Sequence, residues 1–553
     1  MTGTKESFTA MPVAEQVERL SRLDAKSRQD LILSVPNSLD LTRSLSPEAL
    51  FYTAKEVGLA SAVDLLALAS PEQIRVMVDL DCWRKDSLDD RRLFTWLMLL
   101  DETGSGKLLE WLLHVDAELL VLLVKRHLYV VRKVDVSDER DFDESLYFSF
   151  DDQYLLRFIG EEQPIVQLLL ERLRRLDYNH YRGILESSLF ETESSLEESA
   201  LHWRNGRLAD RGYPSHDEAQ ELFRFVAPES LSLNRYRRTE TPSQPFAEHP
   251  EEPPPNHALL LLRVEDSFLV RTLRALTPRE LEQIGQELAC LSNQVVVAEG
   301  CDPGEISEVR RCVESVHHYL NIGLCHSAQD DEVTACRLLR EIAARPFLQI
   351  GVSLTLRLHQ MVRQLDASLR QRGIPGWMDR LDSPFRETCS GVWRRPPRFF
   401  AGLATPGEVL NRRFQTLVEV RQVEAILTHV PLWFAVMQRW QLLPKGSGAD
   451  ALTLGTLWNT AFARWLLDGR GEVKALSRAN LAALQERMRG VRIEEESTRF
   501  LAVGAARSHL TAEEEKGMRA LASNASAKLD ELLRVDALSA EPRFVEGILF
   551  VVA

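Results

Sequence analysis

The chain has 553 residues, 44% of them hydrophobic and 27% charged, and carries a formal net charge of -15 at pH 7. That length exceeds what one core usually supports, so two or more domains are expected, each with enough apolar material to fold. The negative charge excludes a general nucleic-acid or anionic-membrane binder, because either polyanion would repel the protein at long range.

The opening segment, MTGTKESFTAMPVAEQVERL, is polar and amphipathic and lacks the charged-then-apolar order of a signal peptide, so a cytoplasmic location is expected. The tripeptide Ser46-Pro47-Glu48 recurs as Ser70-Pro71-Glu72. Each copy places a hydroxyl at the N-cap, Pro at the first helical position and a carboxylate in the first turn, where exposed N–H groups favour it. Apolar stripes follow at helical spacing, as in Leu50, Ala54 and Val57, then Ile74, Met77 and Val78. One short helix pair cannot bury its own apolar face. Stacked pairs are therefore expected, an all-α helical-repeat fold of superhelix or solenoid type.

The apolar stretch LLEWLLHVDAELLVLLVKR carries Glu110, His114, Asp116 and Glu118 and reads as two core helices instead of a membrane span. ILTHVPLWFAVM is too short to span and contains Pro431. Between them, LYVVRKVDV, an acidic run and LYFSFDDQYLLRFI predict a small β-hairpin turning at Asp151-Asp152-Gln153. Helices resume through PIVQLLLERLRRL to EAQELFRFV, and the run RRTETPSQPFAEHPEEPPPN then combines Pro with charge and lacks apolar periodicity. Later helix starts are predicted at Thr277, Asp302, Thr405 and Thr511, where a capping residue is followed three residues on by Glu. The apolar tail GILFVVA is expected to dock on its domain, with LLPKGSGADALT as an earlier loop. The resulting map is a helical-repeat domain at 1–126, a hairpin element at 127–160, a helical segment at 161–236 completing the first block, a Pro-rich acidic linker at 237–256 and a helical domain at 257–553.

Chemical motifs are sparse. Asp101 to Lys107 lacks the Gly and the Ser/Thr positions of a phosphate-binding loop and reads as an interhelical turn. Glu314-x-x-His317, beside His318, has no second copy, which a di-iron bundle would need. Asp79 and Asp81 point to different sides of a helix, so they make no acid–base pair. Five cysteines, Cys290, Cys301, Cys312, Cys325 and Cys336, recur about every eleven residues without a C-x-x-C knuckle. They read as apolar thiols on core faces of successive helices, with no metal site and no cofactor expected. The polar site expected to matter is basic: Trp203, Arg204, Asn205 and Arg207, and a second group of Arg394, Arg395 and Arg398 among aromatic rings, Gly and Pro. Arginine forks on such loops bind carboxylate or phosphate, and the structural alternative is that they bridge the chain's own carboxylates between helices.

The strings LSPEALFYTAKEVGLASAVDLLALASPEQIRVMVDLDCWRKD, LHWRNGRLADRGYPSHDEA and LDSPFRETCSGVWRRPPRFF resemble a bacterial family of unknown function. The resemblance covers most of the chain and implies no activity or catalytic residue. Separately, Ser46 to Val124 is similar to the cytosolic helical superhelix of bacterial magnesium transporters, whose membrane helices this chain lacks, so transport is not implied. Together these readings predict a non-enzymatic helical-repeat scaffold or adaptor that binds another protein, with its oligomeric state open. Two alternatives stand beside it: a regulatory sensor of a small anionic ligand or divalent cation, and an enzyme whose site is assembled from distant residues.

Overall fold

The computed structural model describes residues 8–21, 23–104, 106–136, 142–160, 164–238, 266–444, 452–534 and 547–550. The fold is all-α, and β structure among the described residues is limited to three two-stranded antiparallel pairs and isolated bridges. Contacts divide the chain into two compact units, one of Met1–Arg224, Ser230–Leu320 and Ser327–Gln349, the other of Phe225–Glu229, Asn321–His326 and Ile350–Ala553. The units therefore do not part at the Pro-rich run 237–256, most of which lies outside the described residues. The helices that follow it are tied back into the first unit: Arg238 pairs with Glu287, and Asp302 pairs with Arg92.

In the first unit the two SPE segments cap helices as their chemistry requires. The Ser46 hydroxyl accepts from the Ala49 N–H to start Pro47–Val57. Ser70 and Gln73 close a reciprocal capping box at the start of Pro71–Asp81. These two helices pack on each other, and Pro71–Asp81 also packs on Lys107–His114. Gly106, at φ +77°, makes the turn between Asp90–Glu102 and Lys107–His114. The long apolar stretch is divided between Lys107–His114 and Ala117–His127. No described helix is long and apolar enough to cross a membrane.

The hairpin differs from its predicted form. Leu128–Arg132 pairs in register with Tyr154–Phe158, Leu128 opposite Phe158 and Arg132 opposite Tyr154. The 147–158 segment itself contributes a single bridge, Phe148 to Leu156, across the turn at Asp151-Asp152-Gln153. Two predicted helix starts also differ. Thr277 and Thr511 form capping boxes with Glu280 and Glu514, but Asp302 and Thr405 do not begin helices. Asp302 is turned to Arg92 and the helix starts later, at Ile306. After Thr405 the chain makes a turn, with Gly407 at φ +94°, and leads into the strand Asn411–Arg412. A start signal that local bonds share with a turn is resolved by long-range partners.

The second unit is built on fully buried tryptophans. Trp433, in Leu417–Arg439, donates to the Gly517 carbonyl at 2.7 Å; Trp458, in Leu454–Asp468, donates to the Ser497 hydroxyl at 3.3 Å. The antiparallel helices Ile493–Ser508 and Ala512–Arg534 meet around His509, whose φ of +51° makes the reversal. The tail docks on this unit: Ile548 is buried, and Leu476 N–H donates to the Leu549 carbonyl at 2.8 Å. The loop expected around 445–451 lies outside the described residues.

Asp382 is the buried polar post of this unit. Its carboxylate accepts from Thr453 Oγ1 at 2.7 Å and Gly455 N–H at 2.6 Å, with Lys528 Nζ at 3.5 Å. Asp382→Ala strands these donors and is expected to destabilise the unit by about 2–4 kcal/mol. Urea unfolding of the full chain checks it, and a loss below about 0.5 kcal/mol would contradict the role.

Candidate functional site

The Pro71–Asp81 helix ends in two carboxylates, Asp79 and Asp81, that are 3% and 2% exposed. Two residues apart on a helix, their side chains diverge by about 200°, and each takes different partners. Asp79 is held by the Arg207 fork, with Nε 2.7 Å from Oδ2 and Nη2 3.0 Å from Oδ1. Arg207 also donates to Asp116 at 3.0 Å. Arg204, three residues earlier on the same helix, donates to the Asp79 carbonyl at 2.9 Å and lies over the Trp83 ring at 5.8 Å.

Asp81 is surrounded by Lys55 Nζ at 3.0 Å, Trp96 Nε1 at 2.8 Å and Arg92 Nη1 at 3.3 Å. Arg92 continues to Asp302 at 2.8 Å and Glu305 at 3.2 Å, so the loop after the Pro278–Ala298 helix is clamped to the same group. Gly304 permits that approach, because a Cβ there would overlap Asp81 Oδ1.

Burial raises the Asp79 carboxyl above its ordinary range, opposed by the bonds and charge of Arg207 and by Arg204. Burial also penalises the Arg207 cation, yet its bonds to Asp79 and Asp116 hold the guanidinium above its ordinary value. Arg92 is held up in the same way by Asp302 and Asp81 against its burial cost. The groups therefore stand as mutually neutralising ion pairs. Their donors and acceptors are spent on each other, an arrangement that holds segments together.

The thiols are arranged differently. Gly300, at φ +63°, ends the Pro278–Ala298 helix: its N–H bonds the Val297 carbonyl, and the Cys301 N–H bonds the Val296 carbonyl. This paired closure of a helix C-terminus is the Schellman pattern. The chain then reverses, and the Ile306–Ser327 helix brings buried Cys312 to Cys301, Sγ to Sγ 2.9 Å. Glu299 Oε2 is 3.8 Å from Cys312 Sγ, and Arg311 Nη2 is 3.7 Å from Cys301 Sγ. Glu299, Cys301 and Cys312 present ligand atoms within 4.8 Å of one another, a set of the type that can hold a metal ion. The even spacing of the cysteines hid this pair, because spacing alone does not show which thiols of successive helices meet when the chain reverses. The signal was the Gly300 stop followed by Pro303, which breaks the helix between the two thiols.

A family model matches residues 5–551. The chain belongs to a family of unknown function, DUF6178. No curated protein and no solved structure matches it significantly. These comparisons do not support the likeness of Ser46–Val124 to the magnesium-transporter superhelix.

The predicted arginine groups fall in different units. Trp203, Arg204, Asn205 and Arg207 are in the first, on the continuous helix Glu193–Ala209 instead of a loop, since the exposed Gly206 does not interrupt it. Arg204 and Arg207 bind Asp79 from this helix, Asn205 accepts from Arg204, and Trp203 is 51% exposed. Arg394, Arg395 and Arg398 are in the second unit, in the turn after the Phe385–Trp393 helix. Arg394 and Arg395 are exposed and have no ion-pair partner among the described residues. Glu314-x-x-His317 likewise forms no carboxylate–imidazole set: His317 is buried and shares a 3.1 Å hydrogen bond with Ser267 Oγ.

Arg207→Ala leaves Asp79 buried and unpaired and is expected to cost about 3–5 kcal/mol, whereas Arg394→Ala is expected to stay within about 0.5 kcal/mol. Equal effects in thermal or urea unfolding would contradict the assignment. Burial lowers His317 from 6.5 to about 4, so the fold holds a neutral imidazole that the unfolded chain protonates first. Its contribution is complete above pH 6.5 and is lost as pH falls towards 4, up to about 3 kcal/mol. The pH–stability profile of His317→Phe should be flatter over that window, and an unchanged slope would refute it.

Proposed function

We propose that the chain is a helical protein-interaction scaffold whose contact module is the 385–412 segment of the second unit. The observation that carries this reading is a set of large exposed apolar side chains in the same segment as two arginines that have no ion-pair partner among the described residues. Trp393 is 40% exposed, Val409 81% and Leu410 69%, and Arg394 and Arg395 extend from the same module. Exposed aromatic and aliphatic groups with Arg are the composition of interface centres, and a folded surface gains nothing by leaving them in water.

The module is rigid enough to present them. Arg398 N–H closes the turn on the Gly391 carbonyl at 2.9 Å, and Phe399–Phe400 pairs antiparallel with Asn411–Arg412. Arg412 lies over the Phe399 ring at 4.8 Å and bonds Glu419 at 2.9 Å. Such a support lowers the ordering cost of binding. Two guanidiniums without an ion-pair partner among the described residues, on a protein of net charge -15, select a partner that presents carboxylates next to apolar side chains.

The test compares affinity purifications from the native host using the wild-type chain, Arg394→Glu with Arg395→Glu, and Leu410→Asp. A partner protein retained by the wild type and lost by both variants, at unchanged melting temperature, is the expected result. Each variant should weaken binding at least about tenfold. An identical set of retained proteins in all three would overturn the proposal.

A further inference from the structure

We infer that Cys301 and Cys312 form a redox-active dithiol that reacts with low-molecular-weight disulfides, with Cys301 as the attacking sulfur and Cys312 as the resolving one. The geometry assigns the roles. Cys301 is partly exposed at the end of a helix stop, whereas Cys312 is fully buried on the next helix, and the two sulfurs are 2.9 Å apart. An outside reagent therefore meets Cys301 first, and a group attached there lies within reach of Cys312.

Electrostatics supports the same order. The hydrogen bond from Cys312 lowers the Cys301 thiol to about 7, against burial and with help from the Arg311 guanidinium. Burial pushes Cys82, Cys290, Cys336 and Cys389 the other way, Cys290 to about 11. A thiolate near neutral pH is the reactive form of cysteine. The same three donor groups suggest a metal site, but Arg311 argues against it: a guanidinium 3.7 Å from one sulfur repels a dication while it favours the thiolate.

The reaction balances as two exchanges. Cys301 Sγ, as thiolate, attacks one sulfur of the disulfide; a Cys301–sulfur bond forms, the reagent's S–S bond breaks, and the first thiolate departs and takes a proton from solvent. Cys312 then gives its proton to the Glu299 carboxylate and on to water, and its sulfur attacks Cys301 Sγ. The Cys301–Cys312 bond forms as the second reagent thiolate leaves and is protonated. Two protein thiols are oxidised and one disulfide is reduced to two thiols. The product would tie the Gly300 helix stop to the second turn of the following helix, enclosing Asp302 and Glu305, which hold Arg92.

The test uses the full chain with oxidised glutathione, followed by alkylation and peptide mapping. The expected result is a Cys301–Cys312 cross-link in the wild type and a stable glutathione adduct on Cys301 in Cys312→Ser. In the untreated wild type, Cys301 should alkylate at pH 7 roughly fiftyfold faster than Cys290, with a rate that rises through about pH 7. That measurement needs no variant, so a misfolded mutant does not protect the proposal. Comparable alkylation of Cys301 and Cys290, glutathione attached elsewhere, or stoichiometric zinc that shields both thiols would each overturn it.

Discussion

Two negative charges at the C-terminal end of a buried helix set the main constraint on the first unit. Asp79 and Asp81 lie in the last turn of Pro71–Asp81, where unpaired carbonyls already make the potential negative, and both are removed from water. Such carboxylates persist only if cations come to them. The chain supplies Lys55 from the preceding capped helix, Arg92 from the following one, and Arg204 and Arg207 from more than a hundred residues away. Through Arg92 the requirement extends to Asp302 and Glu305. One charged helix end thus gathers four separate stretches of sequence, which accounts for the helices after the Pro-rich run belonging to the first unit.

This division of labour among the arginines shapes the functional reading. Arg207 is committed to Asp79 and Asp116, and Arg126 to Asp90, Glu193 and Glu197. These groups act as struts, and their removal is felt as lost stability. Among the described residues Arg394 and Arg395 have no ion-pair partner, and they follow exposed Trp393 in the chain.

Features fixed by bonds over three or four residues were legible in the sequence. Ser46, Ser70, Thr277 and Thr511 cap helices because a hydroxyl and a nearby N–H need nothing further away. Asp302 carries the same local pattern, yet Arg92 takes its carboxylate, and no spacing rule reveals a partner over two hundred positions distant. The loop expected around Arg204 and Arg207 is a helix, because the single penalty of Gly206 is outweighed by the packing of Glu193–Ala209 and by two arginines anchored on Asp79. The Cys301–Cys312 pair stayed hidden because spacing does not show that the chain reverses between Cys301, just after the Gly300 helix stop, and Cys312 on the helix that starts at Ile306.

The central claim is that the pairing of Asp81 with Arg92 holds the Pro71–Asp81 helix to its neighbours. A double-mutant cycle with Asp81→Asn, Arg92→Met and the combination, read by hydrogen exchange over residues 71–102, tests it directly. The account predicts a coupling of about 2–3 kcal/mol in the opening free energy of these peptides. Additive effects, with coupling below about 0.5 kcal/mol, would contradict it.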